Sequence, residues 1–343
     1  MIKNILRYAT NNKCSDVIIA AQNPPMIRIN GDLIAIPRVP ILNDSQTSTM
    51  MASLMSEQQK QIFAQEMEMD FAIEIADGTR FRVNAFKTIN GTSAAFRIIK
   101  NNIRDLQNLN APKALQDLLR LKQGLILMTG PTGCGKSTTL AAMIDHLNKN
   151  YKYNIITIED PVEFIHKSQN SLILQREVGK NTLSFGNALK SALRENPDVI
   201  LVGEMRDLET ISLALSAAET GHLVLATLHT NSAAQSINRI IDVFDTGSKP
   251  IIRSMLSNSL NAIISQRLIK TTNNSRIAAF ETLIANHSIR NLIREDKVPQ
   301  INTMMEIGKK YGMTTLKDSI SELLVQGIIS QNEAKKAFEA NFL

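Results

Sequence analysis

The amino-acid sequence predicts an α/β protein, in which a core with a mostly parallel sheet follows a small α+β domain and precedes a helical region. Three observations lead to this fold class. In the middle of the chain, short apolar runs alternate with helical segments, as parallel strands joined by helices do. The N-terminal third instead carries hairpin signals and alternating strands. After residue 249 the spacing of apolar residues is helical.

The length of 343 residues indicates two domains or three. A polar, Asn-rich stretch interrupts the strand pattern near residue 101 and is interpreted as a linker. The predicted division is an N-terminal α+β domain at 1–100, a linker at 101–112, a core at 113–249 and a helical C-terminal region at 250–343.

Turn residues separate the elements of the N-terminal domain. Pro24-Pro25 breaks the chain between the first two predicted strands, the second ends in an Asn30-Gly31 hairpin turn, and Asn90-Gly91 joins the last two. The last two strands alternate polar and apolar side chains, as half-buried strands do. The predicted elements are strands at 16–20, 26–30, 79–86 and 93–99 and a helix at 45–64.

The core strands are short apolar runs of the kind that parallel sheets bury on both faces. A helical segment follows the first run. We predict these core strands at 125–128, 155–158, 199–202 and 223–228. We predict the C-terminal helices at 251–268, 287–295, 315–326 and 331–338.

Composition excludes several classes of protein. No stretch of about 18 apolar residues is present, so no transmembrane helix is predicted. The two cysteines, Cys14 and Cys134, have no metal-like spacing, which favours a reducing cytoplasm over disulfides or a zinc site. The net charge of +6 suits nucleic acid, an anionic membrane surface or an anionic nucleotide. Because the basic residues form no block, a dedicated nucleic-acid surface is not indicated.

The pattern G-x-x-x-x-G-K-S lies between the first core strand and the helix after it. In that context a glycine-rich turn directs backbone N–H groups at a phosphate, and the helix N-terminus favours negative charge. Lys136 is expected to reach the β- and γ-phosphates, and the Ser137 hydroxyl to ligate Mg²⁺. The alternative is a chance match in an ordinary strand–turn–helix. The predicted nucleotide-binding residues are Gly130, Pro131, Thr132, Gly133, Cys134, Gly135, Lys136, Ser137 and Thr138.

The position of an acidic residue before or after a core strand predicts the edge of the sheet at which it lies. Ligands of open parallel sheets bind at the carboxyl ends of the strands. Asp198 precedes the third strand and is expected at the far edge, whereas Glu204 follows it and is expected on the phosphate side. We therefore interpret Glu204 as a carboxylate that holds Mg²⁺ through water, with a solvated turn carboxylate as the alternative.

Two more strand ends carry polar residues. Glu159, Asp160 and Glu163 follow the second core strand, and phosphoryl transfer needs a group that positions the attacking water or takes its proton. His229 follows the fourth core strand and is expected to contact the γ-phosphate. His222 precedes that strand, so we expect a structural role for it.

Taken in order, these segments resemble one family, the secretion-type hexameric ATPases, and within it the PilT-type pilus retraction ATPases. The resemblance covers nearly the whole chain and is strongest from about 120 to 320. Besides the P-loop, the segments that match the family's motifs are 157–163 (the Asp box), 193–207 (the Walker B region), 218–230 (the His box) and 288–295 (the C-terminal signature of retraction ATPases).

The resemblance implies a RecA-like P-loop core with a PAS-like N-terminal domain and a helical C-terminal tail. It implies a Mg²⁺-dependent ATPase, with ATP and Mg²⁺ as cofactors, whose homo-hexamer powers type IV pilus retraction and twitching motility. The implied location is the cytoplasm, at the cytoplasmic face of the inner membrane. Membrane association would be peripheral, through an inner-membrane pilus platform protein, and no nucleic-acid partner is expected.

The resemblance also assigns residue roles. Among the carboxylates after the second core strand, it favours Glu163 as the group that positions the attacking water, and leaves the other two as loop-ordering groups. By the same analogy, Arg80 and Arg82 on one strand and Arg97 on the next reach bound nucleotide as the two domains close. The alternative is that they are ordinary solvent-facing arginines.

The chain departs from the patterns of the family and of its assembly members at several points. The segment Ser15-Asp16-Val17-Ile18 lacks the His of the family's Ser-Asp-x-His pattern. The chain carries neither the longer N-terminal region nor the four-cysteine zinc motif of assembly ATPases, which favours retraction. The alternatives are a pilus assembly or type II/IV secretion ATPase, a DNA-translocating RecA-like motor and a small-molecule kinase.

The C-terminal signature has the spacing of an amphipathic helix. Ile289, Leu292 and Ile293 fall on one apolar face, and Arg290 and Arg294 lie on its polar flank. We expect the apolar face to pack on the core. The two arginines are predicted to transmit the nucleotide state to the tail or a partner, with a packing role as the alternative.

Overall fold

Two β-sheets organise the chain, one of six strands and one of seven. The computed structural model describes residues 1–12, 14–29, 32–99 and 103–339. Its contacts divide the chain into two units, Met1–Asn102 and Ile103–Leu343. The predicted linker begins at residues 101 and 102, which lie outside the described residues.

The first unit combines an antiparallel sheet with helices, which is the predicted α+β arrangement. Along β5 the side chains of Phe81, Val83 and Ala85 are buried, because alternate residues of a strand face the same side. Its elements are α1 (Ile2–Asn11), β1 (Asp16–Ala20), β2 (Met26–Ile29), β3 (Asp32–Ala35), α2 (Asp44–Ala52), α3 (Glu57–Glu66), β4 (Glu68–Glu74), β5 (Arg80–Thr88) and β6 (Gly91–Ile99). The strand order is β3-β2-β1-β6-β5-β4, with every pair antiparallel.

The single helix predicted at 45–64 is instead two helices, α2 and α3. Each begins with its own capping box, in which Asn43 pairs with Gln46 and Ser56 pairs with Gln59. The second box restarts the helix because it satisfies backbone N–H groups that a continuous helix would use internally. The predicted Asn30-Gly31 turn lies outside the described residues, but β2 and β3 on either side of it pair as a hairpin.

The second unit holds the predicted core and C-terminal region together. Short 3-10 segments occur at Gln107–Leu109, Val298–Gln300 and Lys309–Tyr311. Its other elements are α4 (Ala114–Leu118), β7 (Gly124–Thr129), α5 (Lys136–Asn150), β8 (Asn154–Glu159), β9 (Leu172–Glu177), α6 (Phe185–Ala192), β10 (Val199–Val202), α7 (Leu208–Glu219), β11 (Leu223–Leu228), α8 (Ala233–Asp242), α9 (Lys249–Ser259), β12 (Leu260–Lys270), β13 (Arg276–Ile284), α10 (His287–Arg294), α11 (Ile301–Ile307), α12 (Leu316–Val325) and α13 (Gln331–Glu339).

The sheet of this unit is mostly parallel, as predicted. Its strand order is β13-β12-β7-β11-β10-β8-β9, and only β13 runs antiparallel to its neighbour. Helices cover both faces. On β7, Leu125 and Leu127 pack with α6 to α9, whereas Ile126 and Met128 pack with α5. The four predicted core strands are β7, β8, β10 and β11, and they therefore end at one edge of the sheet.

The helix predicted at 251–268 is wrong beyond its first half. The helix α9 ends at Ser259, and β12 begins at Leu260 and pairs with β7. Seven of the eleven residues of β12 are buried, because the strand lies inside the sheet between β7 and β13. A strand that is apolar on both faces cannot be told from a buried helix by periodicity. The neighbouring strand β13 also lies inside the region predicted to be helical, so that prediction is wrong there as well.

Two predictions from composition concern membranes and disulfides. None of the helices in the described part of the chain combines the length and the apolarity that crossing a bilayer requires. Cys14 and Cys134 are both buried and unpaired.

The C-terminal signature forms α10, which packs on the main core. Ile289 and Ile293 are fully buried, but Leu292 is only half-buried. Arg290 donates to the backbone oxygen of Ala285 at 2.9 Å and to that of Ser257 at 2.7 Å, in the last turn of α9. Carbonyl groups at a helix C-terminus lack intrahelical partners, so the guanidinium satisfies them. Burial, with the nearby charge of Arg294, lowers the pKa of Arg290.

We predict that Arg290→Ala lowers the free energy of unfolding by about 1–3 kcal/mol, because it leaves partly buried carbonyl groups of α9 without a donor. Arg294→Ala is the matched control. Its guanidinium is exposed and its contacts with Ser257 and Asn258 side chains are long, at 3.4 Å. The control should change stability by less than about 0.5 kcal/mol. Urea unfolding of both variants measures the difference, and equal losses would contradict the capping role.

Candidate active site

The P-loop connects β7 to α5, and its backbone geometry requires glycine. Gly130, Gly133 and Gly135 have φ angles of +139°, +78° and +94°. A Cβ on Gly130 would also lie 2.4 Å from the backbone oxygen of Gln266. The N–H groups in the first turn of α5 have no intrahelical partners, and the helix dipole makes this end positive. The loop is therefore shaped to receive an anion such as a phosphate.

Side chains of β12 support the P-loop from the neighbouring strand. The Gln266 amide donates to the Cys134 oxygen at 2.8 Å and accepts from the Thr139 hydroxyl at 2.7 Å. The Ser265 hydroxyl lies 2.7 Å from that of Thr129. These supports were missed in the sequence, although a polar Ser-Gln pair inside a buried apolar run was the available signal. Buried polar groups need partners, and here the partners belong to the loop.

Lys136 is the first residue of α5 and is buried within the loop it belongs to. Its ammonium donates to the backbone oxygen of Gly130 at 2.6 Å and to that of Pro131 at 3.2 Å. Burial lowers the pKa of Lys136, and the negative charges of Glu204 and Glu163 act in the opposite direction. Both carboxylates are therefore close enough to affect the lysine electrostatically.

His229 lies between Lys136 and Glu204. Its Nδ1 is 3.4 Å from the lysine ammonium and its Nε2 is 3.4 Å from the carboxylate of Glu204. An ammonium has only donors, so Nδ1 accepts and Nε2 carries the proton toward Glu204. The Thr132 hydroxyl also lies 3.4 Å from Nδ1. Lys136, His229 and Glu204 form a polar chain at the carboxyl edge of the sheet, beside the P-loop.

The surroundings of Glu204 favour its ionised carboxylate. Burial alone would raise its pKa, but a 2.7 Å hydrogen bond from Arg206 and the proximity of His229 outweigh burial and lower it. Asp198 and His222 lie at the edge of the sheet predicted from their positions before β10 and β11. Asp198 lies at the opposite edge, where its carboxylate accepts from the Asn154 backbone N–H at 2.8 Å. His222 also lies at that edge, with Nδ1 3.0 Å from the Ala217 oxygen.

The carboxylates after β8 have different surroundings. Glu159 accepts from the Thr157 hydroxyl at 2.7 Å and from the Gln175 amide at 3.2 Å, and burial raises its pKa. The backbone N–H of Glu163 also bonds to this carboxylate. These contacts match the expected loop-ordering role of Glu159. Asp160 is exposed and Glu163 is half-buried. Glu163 therefore keeps a carboxylate close enough to affect Lys136 electrostatically, while its backbone is fixed by Glu159.

The available metal donors are oxygens. Ser137 lies half-buried in the first turn of α5, one residue after Lys136, with Thr138 beside it. A hydroxyl, a carboxylate such as Glu204 and water are the donors that Mg²⁺ prefers. Burial raises the pKa of the Cys134 thiol, so its position in the loop gives it no thiolate character.

The candidate arginines belong to the first unit and differ from one another. Arg82 and Arg97 are directly opposite each other on β5 and β6, and both are exposed. Arg97 donates to the Asp16 carboxylate at 3.0 Å. Arg80 is only 6% exposed, although strand alternation gives it the same face as the exposed Arg82.

Comparison with known proteins gives consistent matches over the chain. A family model described as type II/IV secretion system protein matches residues 1–336. A twitching motility protein of Neisseria gonorrhoeae is 52% identical over 91% of this chain and 83% of its own length. The type IV pilus retraction ATPase PilT of Pseudomonas aeruginosa is 47% identical over 98% of this chain and 97% of its own.

A solved structure is similar over the same extent. The crystal structure of the pilus retraction motor PilT with bound ADP has a TM-score of 0.92 and 43% identity, covering 98% of this chain and 96% of that one. These findings confirm the predicted resemblance, the fold class and the ATPase class. They leave the roles of the individual site residues as predictions.

We predict that Glu204→Gln and Glu163→Gln each lower ATP turnover by about 10²-fold or more, because each removes a charge at the phosphate side while keeping the shape of the side chain. Asp198→Asn is the matched control at the opposite edge and should change turnover by no more than about twofold. Phosphate release and ADP affinity are measured for all three. Loss of activity in Asp198→Asn alone would show that the strand-end argument selects the wrong carboxylate.

Proposed function

This chain belongs to the family of type II/IV secretion system proteins, and from that premise we propose that it hydrolyses ATP with Mg²⁺ as a homo-hexamer that powers type IV pilus retraction. The observation that carries the chemical part is the chain of Lys136, His229 and Glu204 beside a P-loop. The direction of the motor rests on the names of the relatives, which describe twitching motility and pilus retraction.

The P-loop binds the phosphates of ATP, and Lys136 moves onto them. Its present bonds to Gly130 and Pro131 are to backbone oxygens, which hold the ammonium inside the loop. A phosphate oxygen is a stronger partner for an ammonium than a neutral carbonyl is. The lysine therefore exchanges carbonyl partners for the β- and γ-phosphates when nucleotide arrives.

The polar chain then changes partners. Once Lys136 turns to phosphate, His229 loses its lysine partner, and its Nε2–H can turn from Glu204 to donate to the γ-phosphate. Ser137 and Glu204 would hold Mg²⁺, Glu204 through water, and a bound ion would supply positive charge next to the phosphate oxygens. Glu163 orients the attacking water and accepts its proton. Its backbone bond to Glu159 supports this role by fixing the loop.

Positive charge from the first unit completes the site. Arginines that stabilise a transferring phosphoryl group contribute large factors in rate. Arg82 and Arg97 are the favoured candidates, because both are exposed on adjacent strands. Arg80 is the weaker candidate because it is only 6% exposed. When the two domains close, the arginines approach the nucleotide, and this approach couples hydrolysis to movement.

The motor acts at the cytoplasmic face of the inner membrane. Its partner there is the inner-membrane platform protein of the pilus, so the association with the membrane is peripheral. ATP and Mg²⁺ are its cofactors, and it has no nucleic-acid partner. Retraction is favoured over assembly because two relatives that align over most of both chains carry twitching and retraction names.

We predict that Lys136→Ala abolishes ATP hydrolysis while the protein stays folded, because the ammonium acts on phosphate. In the source bacterium, cells carrying this variant should keep surface pili but fail to retract them. Lys122→Ala, at an exposed lysine before β7, is the matched control and should behave as wild type. Phosphate release, thermal unfolding, pilus counts and imaging of labelled pili are measured together.

The results of these measurements distinguish pilus retraction from the other candidate functions. Loss of pili instead of loss of retraction would make the protein an assembly ATPase. Turnover stimulated by added DNA would favour a DNA-translocating motor, and a phosphorylated product other than inorganic phosphate would favour a kinase. Normal hydrolysis by Lys136→Ala would contradict the proposed site itself.

A further inference from the structure

Glu281 is a carboxylate on β13 that lies outside the P-loop and has unusual partners. Its Oε1 accepts from the backbone N–H of Ala233 at 2.7 Å, and the backbone N–H of Leu316 also bonds to its carboxylate. Burial raises the pKa of Glu281, while these two N–H groups and the charge of Arg267 act in the opposite direction. A partly buried carboxylate with two backbone donors is a fixed structural element.

Both donors are the first residues of helices, Ala233 of α8 and Leu316 of α12. Each helix has its own side-chain cap: Ser232 accepts from the third residue of α8, and Thr315 does the same for α12. These caps leave the N–H of the first residue without an intrahelical partner. Glu281 satisfies both, and the two helix dipoles favour its negative charge.

The helix α8 is directly attached to the loop that carries His229. Residues 229–232 are all that separates β11 from α8. Within this loop, the hydroxyl of Thr230 lies 2.6 Å from that of Ser236 in the first turn of α8. The position of the first turn of α8 therefore determines where this short loop begins and ends. A side chain that holds Ala233 in place also limits the movement of His229.

Glu281 also lies in register with the base of the P-loop. Thr129, the last residue before the loop, pairs with Ser265 on β12, and Ser265 pairs with Glu281 on β13. On the other side, Thr282 and Thr314 exchange backbone hydrogen bonds just before α12. One carboxylate thus joins the sheet edge, the His229 loop and the C-terminal helices.

From these contacts we propose that Glu281 is a positioning residue, which fixes the His229 loop against β13 and makes it move together with α12. The proposal rests on the proposed function, in which His229 contacts the γ-phosphate. Glu281 touches neither nucleotide nor His229, so it acts through the first turn of α8. A nucleotide-driven shift of His229 is passed to α12 through this carboxylate.

The test is a double-mutant cycle on the full chain. Glu281→Ala should lower kcat for ATP about tenfold and change ADP affinity by less than about threefold, because the loop is misplaced while the P-loop is kept. In a His229→Ala background, Glu281→Ala should cause no further loss, since it acts through that residue. Asp318→Asn is the matched control. It removes a charge in the first turn of α12, where Asp318 accepts from Thr315, but it does not touch α8.

Amide hydrogen exchange tests independently of turnover whether Glu281 fixes the His229 loop. Amides of residues 229–236 should exchange faster in Glu281→Ala than in wild type, and at the wild-type rate in Asp318→Asn. If Glu281→Ala fails to fold, Glu281→Gln retains one acceptor oxygen and should show a smaller shift in the same direction. Unchanged exchange at 229–236, or kcat losses that add fully in the double variant, would overturn the proposal. Normal turnover in His229→Ala would contradict the proposed function instead, and the exchange rates alone would then decide the role of Glu281.

Discussion

The pairing of β12 with β7 is the constraint on which the nucleotide-binding unit depends. The strand β7 leads directly into the P-loop, and β12 pairs with it from Leu125 to Thr129. This pairing places Gln266 against the loop, where its backbone oxygen excludes a side chain at Gly130 and its amide holds Cys134. It also places β13, and with it Glu281, at the start of α8 and α12. The loop is thus shaped by residues more than a hundred positions downstream.

The parallel sheet explains how distant residues meet at the loop. Three strands end at one edge, and the segment after each of them carries a candidate site residue: Lys136 at the end of the loop after β7, Glu204 after β10 and His229 directly after β11. Burying a lysine is unfavourable unless it has partners, and here the partners are carbonyls and an imidazole. Those partners are weaker than phosphate, and the proposed function therefore has the ammonium leave them when nucleotide binds.

The sequence predicted best where local pattern and tertiary environment agree. The strands β10 and β11 match their predicted bounds because each is a continuous apolar run, and strand polarity separated Glu204 from Asp198. It failed at β12, where burial on both faces removes the period of two that marks a strand. The supporting role of Gln266 and the capping role of Arg290 could not be predicted, because both depend on contacts between elements distant in sequence. The burial of Arg80 could not be predicted either, since alternation gives it the same face as the exposed Arg82.

The measurement that tests the account most directly is a crystal structure of the full chain with Mg²⁺ and a non-hydrolysable ATP analogue. The account predicts that the Lys136 ammonium leaves the oxygens of Gly130 and Pro131 and contacts the β- and γ-phosphates. His229 should lie within hydrogen-bond distance of the γ-phosphate, and Glu204 should face Mg²⁺ through water. A structure in which nucleotide occupies the P-loop while Lys136 keeps its carbonyl partners and His229 stays between Lys136 and Glu204 would contradict it.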